Sequence, residues 1–234
     1  LYLIPPLVMI GAPVGLVFLQ PDLGTAIMIG STGVAIMFLA GLSWRIAFLG
    51  GLGAVGAGYA AYRFDILHDY QIARLTTFLN PENDPLGAGY HLLQSKIGIG
   101  SGGLAGKGFM LGTQRDLDFL PEMQTDFIFT IFSEEFGFVG AIGLLLLYFA
   151  VVATAMSIAL RAKTQFARLT VLGVTSTFML YILINTGMVM GLAPVVGVPL
   201  PLVSYGGTVM LTIMAGFGLV LSAHLSREPD GPAI

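Results

Sequence analysis

Four carboxylates crowd one short stretch of the chain: Glu122, Asp126, Glu134 and Glu135 lie where a polar segment re-enters a strongly apolar one. Ionisable groups at membrane depth are costly to hold, so they are functional candidates by default. Asp126 stands at the threshold, with water on one side and hydrocarbon on the other. A carboxylate there can serve as general base toward a substrate that is itself half lipid. Mutual repulsion and desolvation are expected to raise at least one of the four pKa values toward the range useful for a base. Glu122 and Asp126 are four residues apart and share a face if a helix begins before Glu122, with Pro121 suited to start such a turn. The structural alternatives are an N-cap role for Asp126 and burial of Glu134 and Glu135 against Lys or Arg from another helix.

Other segments bear on the same chemistry. Gly98-x-Gly100-x-x-Gly103 matches the dinucleotide pattern literally, but no strand–helix unit flanks it. Gly106-Lys107 is no Walker motif, because Gly108 stands where Ser or Thr is required. Two readings stay level: a flexible loop with positive-φ turns, or a backbone nest near Lys96 and Lys107 that receives a diphosphate. Arg74 is a further cation for that role. His68, His91 and His224 share no metal-ligand spacing, so no dedicated metal site is assigned, while a magnesium ion carried by a diphosphate and one or two carboxylates remains compatible. Segment 197–207, Gly-Val-Pro-Leu-Pro-Leu-Val-Ser-Tyr-Gly-Gly, cannot continue a helix. Such backbone survives at membrane depth only when buried in protein or lining a wet cavity. Ser204 and Tyr205 can therefore line the cavity that Asp126 faces. Asp22 is at least as well explained as an N-cap as by catalysis.

These groups need a membrane scaffold. Of 234 residues, 56% are hydrophobic and only 10% charged, and the mean hydropathy is +0.87. The composition is that of an all-α polytopic membrane protein. A net charge of −3 gives no basic surface for nucleic acid, and the absence of cysteine excludes disulfides and thiolate metal sites. Fifteen of the 23 charged residues fall between Arg63 and Glu135, which concentrates the polar chemistry in one region. Six apolar segments can span a bilayer: 1–19, 24–43, 45–63, 127–160, 167–190 and 204–224. The fourth is too long for one simple span, so its first turns are expected to tilt or lie in a cavity. Gly50, Ala54 and Gly58 form a small-residue face suited to close helix packing, and Asn185 suits an interhelical hydrogen bond.

Segment 64–126 is too long for an idle linker. Pieces such as His91–Gln94 and Phe109–Leu111 read as short amphipathic or re-entrant helices. Arg161, Lys163 and Arg168 form a short basic loop, which favours the cytoplasm. That orientation puts 64–126 and Asp126 outside. The chain opens with Leu1 inside an apolar run, as though its natural start lay upstream.

The segments QPDLGTA (20–26), HDYQIAR (68–74), DPLGAGYHLLQSKIGIGSGGLAGKG (84–108), LPEMQTDFIF (120–129) and GVPLPLVSYGG (197–207) resemble the shape, elongation, division and sporulation (SEDS) family. The match runs over essentially the whole chain, and 84–103 favours the RodA type over the FtsW type. The resemblance implies ten helices with both ends cytoplasmic. The six spans here would be the last six, in one transmembrane domain over 1–234, with 64–126 the large extracytoplasmic loop. It implies a peptidoglycan glycosyltransferase of the bacterial cytoplasmic membrane, its active site facing the periplasm, with lipid II as substrate and a class B penicillin-binding protein as partner. It puts the essential carboxylate at Asp126, with Glu122, Lys96, Lys107, Arg74, Ser204 and Tyr205 as substrate-binding candidates. Competing readings are a lipid II flippase or transporter, and a non-catalytic scaffold for the transpeptidase.

Overall fold

The computed structural model describes residues 3–20, 22–64, 69–81, 84, 87–116 and 122–225. Among the described residues the protein is all helical. The helices are α1 (Ile4–Leu19), α2 (Leu23–Leu39), α3 (Trp44–Arg63), α4 (Asp69–Leu79), α5 (Ala88–Ser101), α6 (Thr113–Asp116), α7 (Ile128–Leu160), α8 (Gln165–Val189) and α9 (Gly207–Leu225). Helices occupy each of the six expected positions. Three of them, α7, α8 and α9, are long and apolar enough to cross a membrane by length and composition; α1 and α2 are apolar but shorter. Their exposed leucines, valines and phenylalanines suit hydrocarbon rather than water. The protein is a multi-pass membrane protein.

Helix α8 is the centre of the packing. It lies against α7, α2 and α9, while α1 packs on α2 and α5 on α7. Phe178 of α8 meets Tyr148 of α7 and Phe217 of α9 edge to face, at centroid distances of 5.7 and 5.1 Å. Such contacts add to the apolar area that the three helices bury. Asp22 caps α2 by accepting from the Thr25 N–H at 3.0 Å, as its capping reading expects. On the small-residue face of α3, a Cβ added at Gly50 or Gly58 would meet nothing within 4 Å among the described residues.

The polar segment before α7 carries α4, α5 and α6, and buried hydroxyls dock it. Ser95 of α5, fully buried, donates to the Val189 carbonyl at the end of α8 at 2.8 Å and pairs with Thr130 Oγ1 of α7 at 2.6 Å. Phe109–Leu111, expected to be helical, forms an exposed turn instead, with Met110 at φ 62°.

Helix α7 is not one rod. Gly137 adopts φ 68° and ψ −168°, which breaks it in two. The stretch 138–160, about 34 Å long at a rise of about 1.5 Å per residue, suffices to cross the bilayer. The excess length predicted from sequence is this separate first part, 128–136. The break costs the bonds that the Glu134 and Glu135 carbonyls would accept from Phe138 and Val139. The 102–108 loop restores all four groups. Lys107 and Gly108 N–H donate to the Glu134 and Glu135 carbonyls, both at 3.0 Å, while Phe138 and Val139 N–H donate to Gly103 O at 2.9 Å and Leu104 O at 3.1 Å. The approach is backbone to backbone. A Cβ on Gly106 would overlap the Glu135 carbonyl, and one on Gly137 would overlap the Gly106 nitrogen.

Candidate functional site

Asp126 sits on a single turn that precedes α7. Glu122, at φ 53°, opens it, and its carbonyl accepts from the N–H groups of Thr125 and Asp126, both at 3.1 Å, and of Phe127 at 3.4 Å. Pro121, the expected starter of such a turn, lies outside the described residues. Phe127, not Asp126, is the N-cap of α7, and no side chain caps it. The capping alternative for Asp126 is therefore not met, and its carboxylate is left for other work.

A second turn, 197–207, is stitched to the first. Asn185 Nδ2 donates to the Asp126 carbonyl at 2.8 Å and to the Val198 carbonyl at 2.6 Å. Ser204 Oγ donates to the Thr125 carbonyl at 2.6 Å and accepts from the Leu200 N–H at 2.6 Å. The Tyr205 N–H donates to the Gln124 carbonyl at 2.8 Å. Tyr148 of α7 donates its hydroxyl to the Pro201 carbonyl. Non-helical backbone here is satisfied by protein groups, as membrane burial demands. Asn185 thus bonds to two turns rather than to a neighbouring helix. Ser204 spends its hydroxyl on the scaffold, and Tyr205 is 76% exposed.

The Asp126 carboxylate faces Gly197, where an added Cβ would come within 3.2 Å of Oδ2. Burial pushes its pKa above the ordinary carboxylate value, and the Glu122 charge adds to the push; a Thr125 hydrogen bond and the Arg74 charge oppose them. The Asp22 pKa is lowered, mainly by its bonds from Thr25, with Arg74 contributing. Arg74 therefore acts on both carboxylates. A Cβ on Gly24 would overlap the Val196 carbonyl, so the capped start of α2 lies beside the Gly197 turn. Asp22, Arg74, Asp126 and Glu122 form one charged constellation drawn from three segments: the cap of α2, helix α4 and the turn before α7.

Lys107 has a different position. Its Nζ donates to Glu134 Oε1 at 2.6 Å and to Thr113 Oγ1 at 2.8 Å. Glu134, fully buried, also accepts from the Thr113 N–H and hydroxyl and the Gln114 N–H. The pairing alternative for Glu134 is met, with a loop lysine rather than a helical one. The diphosphate nest is corrected on the same grounds: the Lys107 and Gly108 N–H groups point into the α7 break, and the Gly106 N–H donates to the Gly102 carbonyl. Lys96 lies against the end of α8, where a Cβ on Gly191 would meet its Nζ at 2.5 Å. The carbonyl-rich end of a helix attracts such a cation. The structure brings Asp126, Glu122, Arg74, Ser204 and Tyr205 into one region and gives Lys96 and Lys107 separate neighbours.

A cavity of about 470 Å³ opens on another side of the Asp126 turn. Met123 and Gln124 line it together with Arg115 and Glu135, and Asp126 does not. Arg115 and the anchoring role of Asn185 escape sequence reading, because neither follows from spacing along the chain.

Residues 1–228 match the family model described as cell cycle protein, FtsW/RodA/SpoVE. The chain is 50% identical over 222 residues to the peptidoglycan glycosyltransferase MrdB of Escherichia coli K12, covering 95% of this chain and 60% of that protein. Among solved structures it resembles a chain described under structural coordination of polymerization and crosslinking by a peptidoglycan synthase complex, with TM-score 0.78 and 34% identity over 96% of this chain and 62% of that one. It also resembles the Thermus thermophilus rod shape determining protein RodA, with TM-score 0.62 and 31% identity over 96% of this chain and 56% of that one. The chain thus spans about 60% of the length of these relatives.

Proposed function

This chain belongs to the FtsW/RodA/SpoVE family, and from that premise we propose that it is the greater part of a peptidoglycan glycosyltransferase that polymerises lipid II for cell elongation and rod shape. The carrying observation is Asp126: a half-buried carboxylate with a raised pKa, uncommitted to a helix cap, on a turn pinned by Asn185. Asp126 takes the proton from the acceptor sugar hydroxyl. The oxygen attacks the donor's anomeric carbon with inversion, and the polyprenyl diphosphate leaves. A raised pKa makes a carboxylate a stronger base toward the hydroxyl proton. The leaving group needs no general acid where cations hold its charge.

Arg74 is the cation best supported for that task, since it already acts on Asp126. Lys96 stays a second candidate, and Lys107 a weaker one because Glu134 holds it. Glu122 tunes the base; Ser204 and the Tyr205 backbone position its turn. A magnesium ion carried by the diphosphate and one or two carboxylates is compatible with this chemistry. The six long helices are read as the last six of ten in one transmembrane domain of the bacterial cytoplasmic membrane. Segment 64–126 then faces the periplasm, and a class B penicillin-binding protein cross-links the product.

The test incubates purified full-length protein, with its transpeptidase partner, and labelled lipid II. Glycan ladders that vanish in Asp126→Asn support the enzyme. Lipid II movement between leaflets of proteoliposomes without ladders supports the transporter instead. Normal growth of Asp126→Ala cells supports the scaffold.

A further inference from the structure

The cavity beside α6 and the first part of α7 contains a carboxylate that the proposed chemistry does not use. Glu135 is 5% exposed, and its Oε1 is buried with no hydrogen bond. Its nearest counter-charge, Arg115 Nη1, is 3.9 Å away, beyond hydrogen-bond reach. The contrast with its neighbour is sharp, because Glu134 collects donors from Lys107, Thr113 and Gln114. A buried carboxylate oxygen without a donor costs more than one hydrogen bond contributes. Gln124 is the one other polar residue among the described lining; Phe109, Phe132, Phe136, Ile131 and Val203 make the rest of it apolar. The Phe132 and Phe136 rings stack at 4.7 Å, and Phe109 flanks Phe136 at 6.1 Å.

We propose that this cavity binds one membrane phospholipid whose zwitterionic headgroup carries a primary ammonium and a phosphate. The ammonium brings three donors to Glu135, whose buried oxygen has none. The phosphate takes the donors of Arg115, a side chain 44% exposed. The aromatic wall receives the start of an acyl chain. Charge balance decides against the substrate's diphosphate. Among the described lining residues one arginine and one glutamate sum to zero, so a polyanion would meet Glu135 as a repulsive element, while a zwitterion satisfies both. The volume of about 470 Å³ lies within the range of roughly 300–1,000 Å³ usual for small-molecule pockets. Phe136, Phe138 and Val139 stand exposed on α7 around the break, so the bilayer reaches the cavity rim. This site is separate from the Asp126 chemistry and does not depend on it.

The experiment is native mass spectrometry of delipidated full-length protein with three dioleoyl lipids of equal chain length. Phosphatidylethanolamine offers ammonium and phosphate. Phosphatidylcholine keeps both charges but donates no hydrogen bond from nitrogen, and phosphatidylglycerol lacks the cation. The expected result is at least ten-fold greater retention of the ethanolamine lipid than of either other. Glu135→Gln should reduce it to the choline level, and Arg115→Gln should lower the ethanolamine and glycerol lipids alike. Equal retention of all three by the wild-type protein would overturn the proposal without any variant having to fold. So would an ethanolamine preference that survives Glu135→Gln. Loss of glycan polymerisation alone would bear on Asp126 and leave this result standing.

Discussion

Asn185 holds Asp126 by its backbone: the side-chain amide donates to the Asp126 carbonyl at 2.8 Å, and the same nitrogen donates to Val198 at 2.6 Å. One fully buried residue of α8 therefore sets the distance between the two turns of the site. Asn185→Ala strands both carbonyls, each at a cost of about 1–3 kcal/mol, and releases the turn that aims the base. The melting temperature should fall, and kcat for glycan polymerisation should drop at least ten-fold with a smaller change in KM, since misplacement penalises the transition state most. Unchanged kcat in a correctly folded variant would remove Asn185 from the positioning role.

Asp126→Asn separates activity from stability. A carboxyl whose pKa is higher folded than unfolded binds its proton more tightly in the folded state. Stability then declines as pH rises from the unfolded pKa through the folded one, and the full penalty applies above it. Burial raises the Asp126 pKa in this way. The asparagine variant carries no such penalty, so above that window it should melt at or above the wild-type temperature while making no glycan. A large loss of thermal stability at neutral pH would mean that the carboxylate supports the fold instead.

Glu122→Gln removes the like charge that helps to raise the Asp126 pKa. The pKa should move down toward the ordinary carboxylate value. A pH–rate profile should then show its acid limb displaced to lower pH, because the base stays ionised further into acid. An acid limb that does not move would assign it to another group.

The legible part of this molecule is what hydropathy and breaker residues control. Gly and Pro at 197–207 announce a non-helical turn, the apolar runs announce their helices, and the excess length of the 127–160 run announces a departure at its start. Other features depend on which segments meet in space. The 98–108 segment carries no sign that its Lys107 and Gly108 N–H groups will splint a break at Gly137, since the acceptors lie far along the chain, at Glu134 and Glu135. Asn185 reads as a helix–helix contact because its real acceptors are backbone atoms, and every residue supplies those. Lys107 reads as a substrate cation because a buried Glu134 partner cannot be assigned by spacing.

Gly137→Ala tests the break. The residue stands at φ 68°, where a side chain is strained, and its Cβ would overlap the 104–106 backbone. The loop must retreat, giving up the bonds that replace the lost helical ones. The variant should lose several kcal/mol of stability, read as a lower melting temperature in detergent, and hydrogen exchange should speed up at the Lys107, Gly108, Phe138 and Val139 amides. Wild-type protection at those four would show that the loop bonds do not carry the kink.

Lys107 decides between two jobs. As a substrate cation it would bind diphosphate, and Lys107→Ala would weaken lipid II binding with little effect on folding. As the partner of Glu134 it neutralises a carboxylate with 0% exposure at 2.6 Å. Breaking a buried pair from one side costs about 3–5 kcal/mol, because the remaining charge has no solvent to turn to. The geometry favours the second job. Lys107→Ala should destabilise the protein strongly, and the double variant Lys107→Met with Glu134→Gln should recover much of the loss by removing both charges together. Lipid II affinity per folded molecule in that double variant should stay within a few-fold of wild type. If it falls by more than ten-fold while the melting temperature recovers, the ammonium serves the substrate after all.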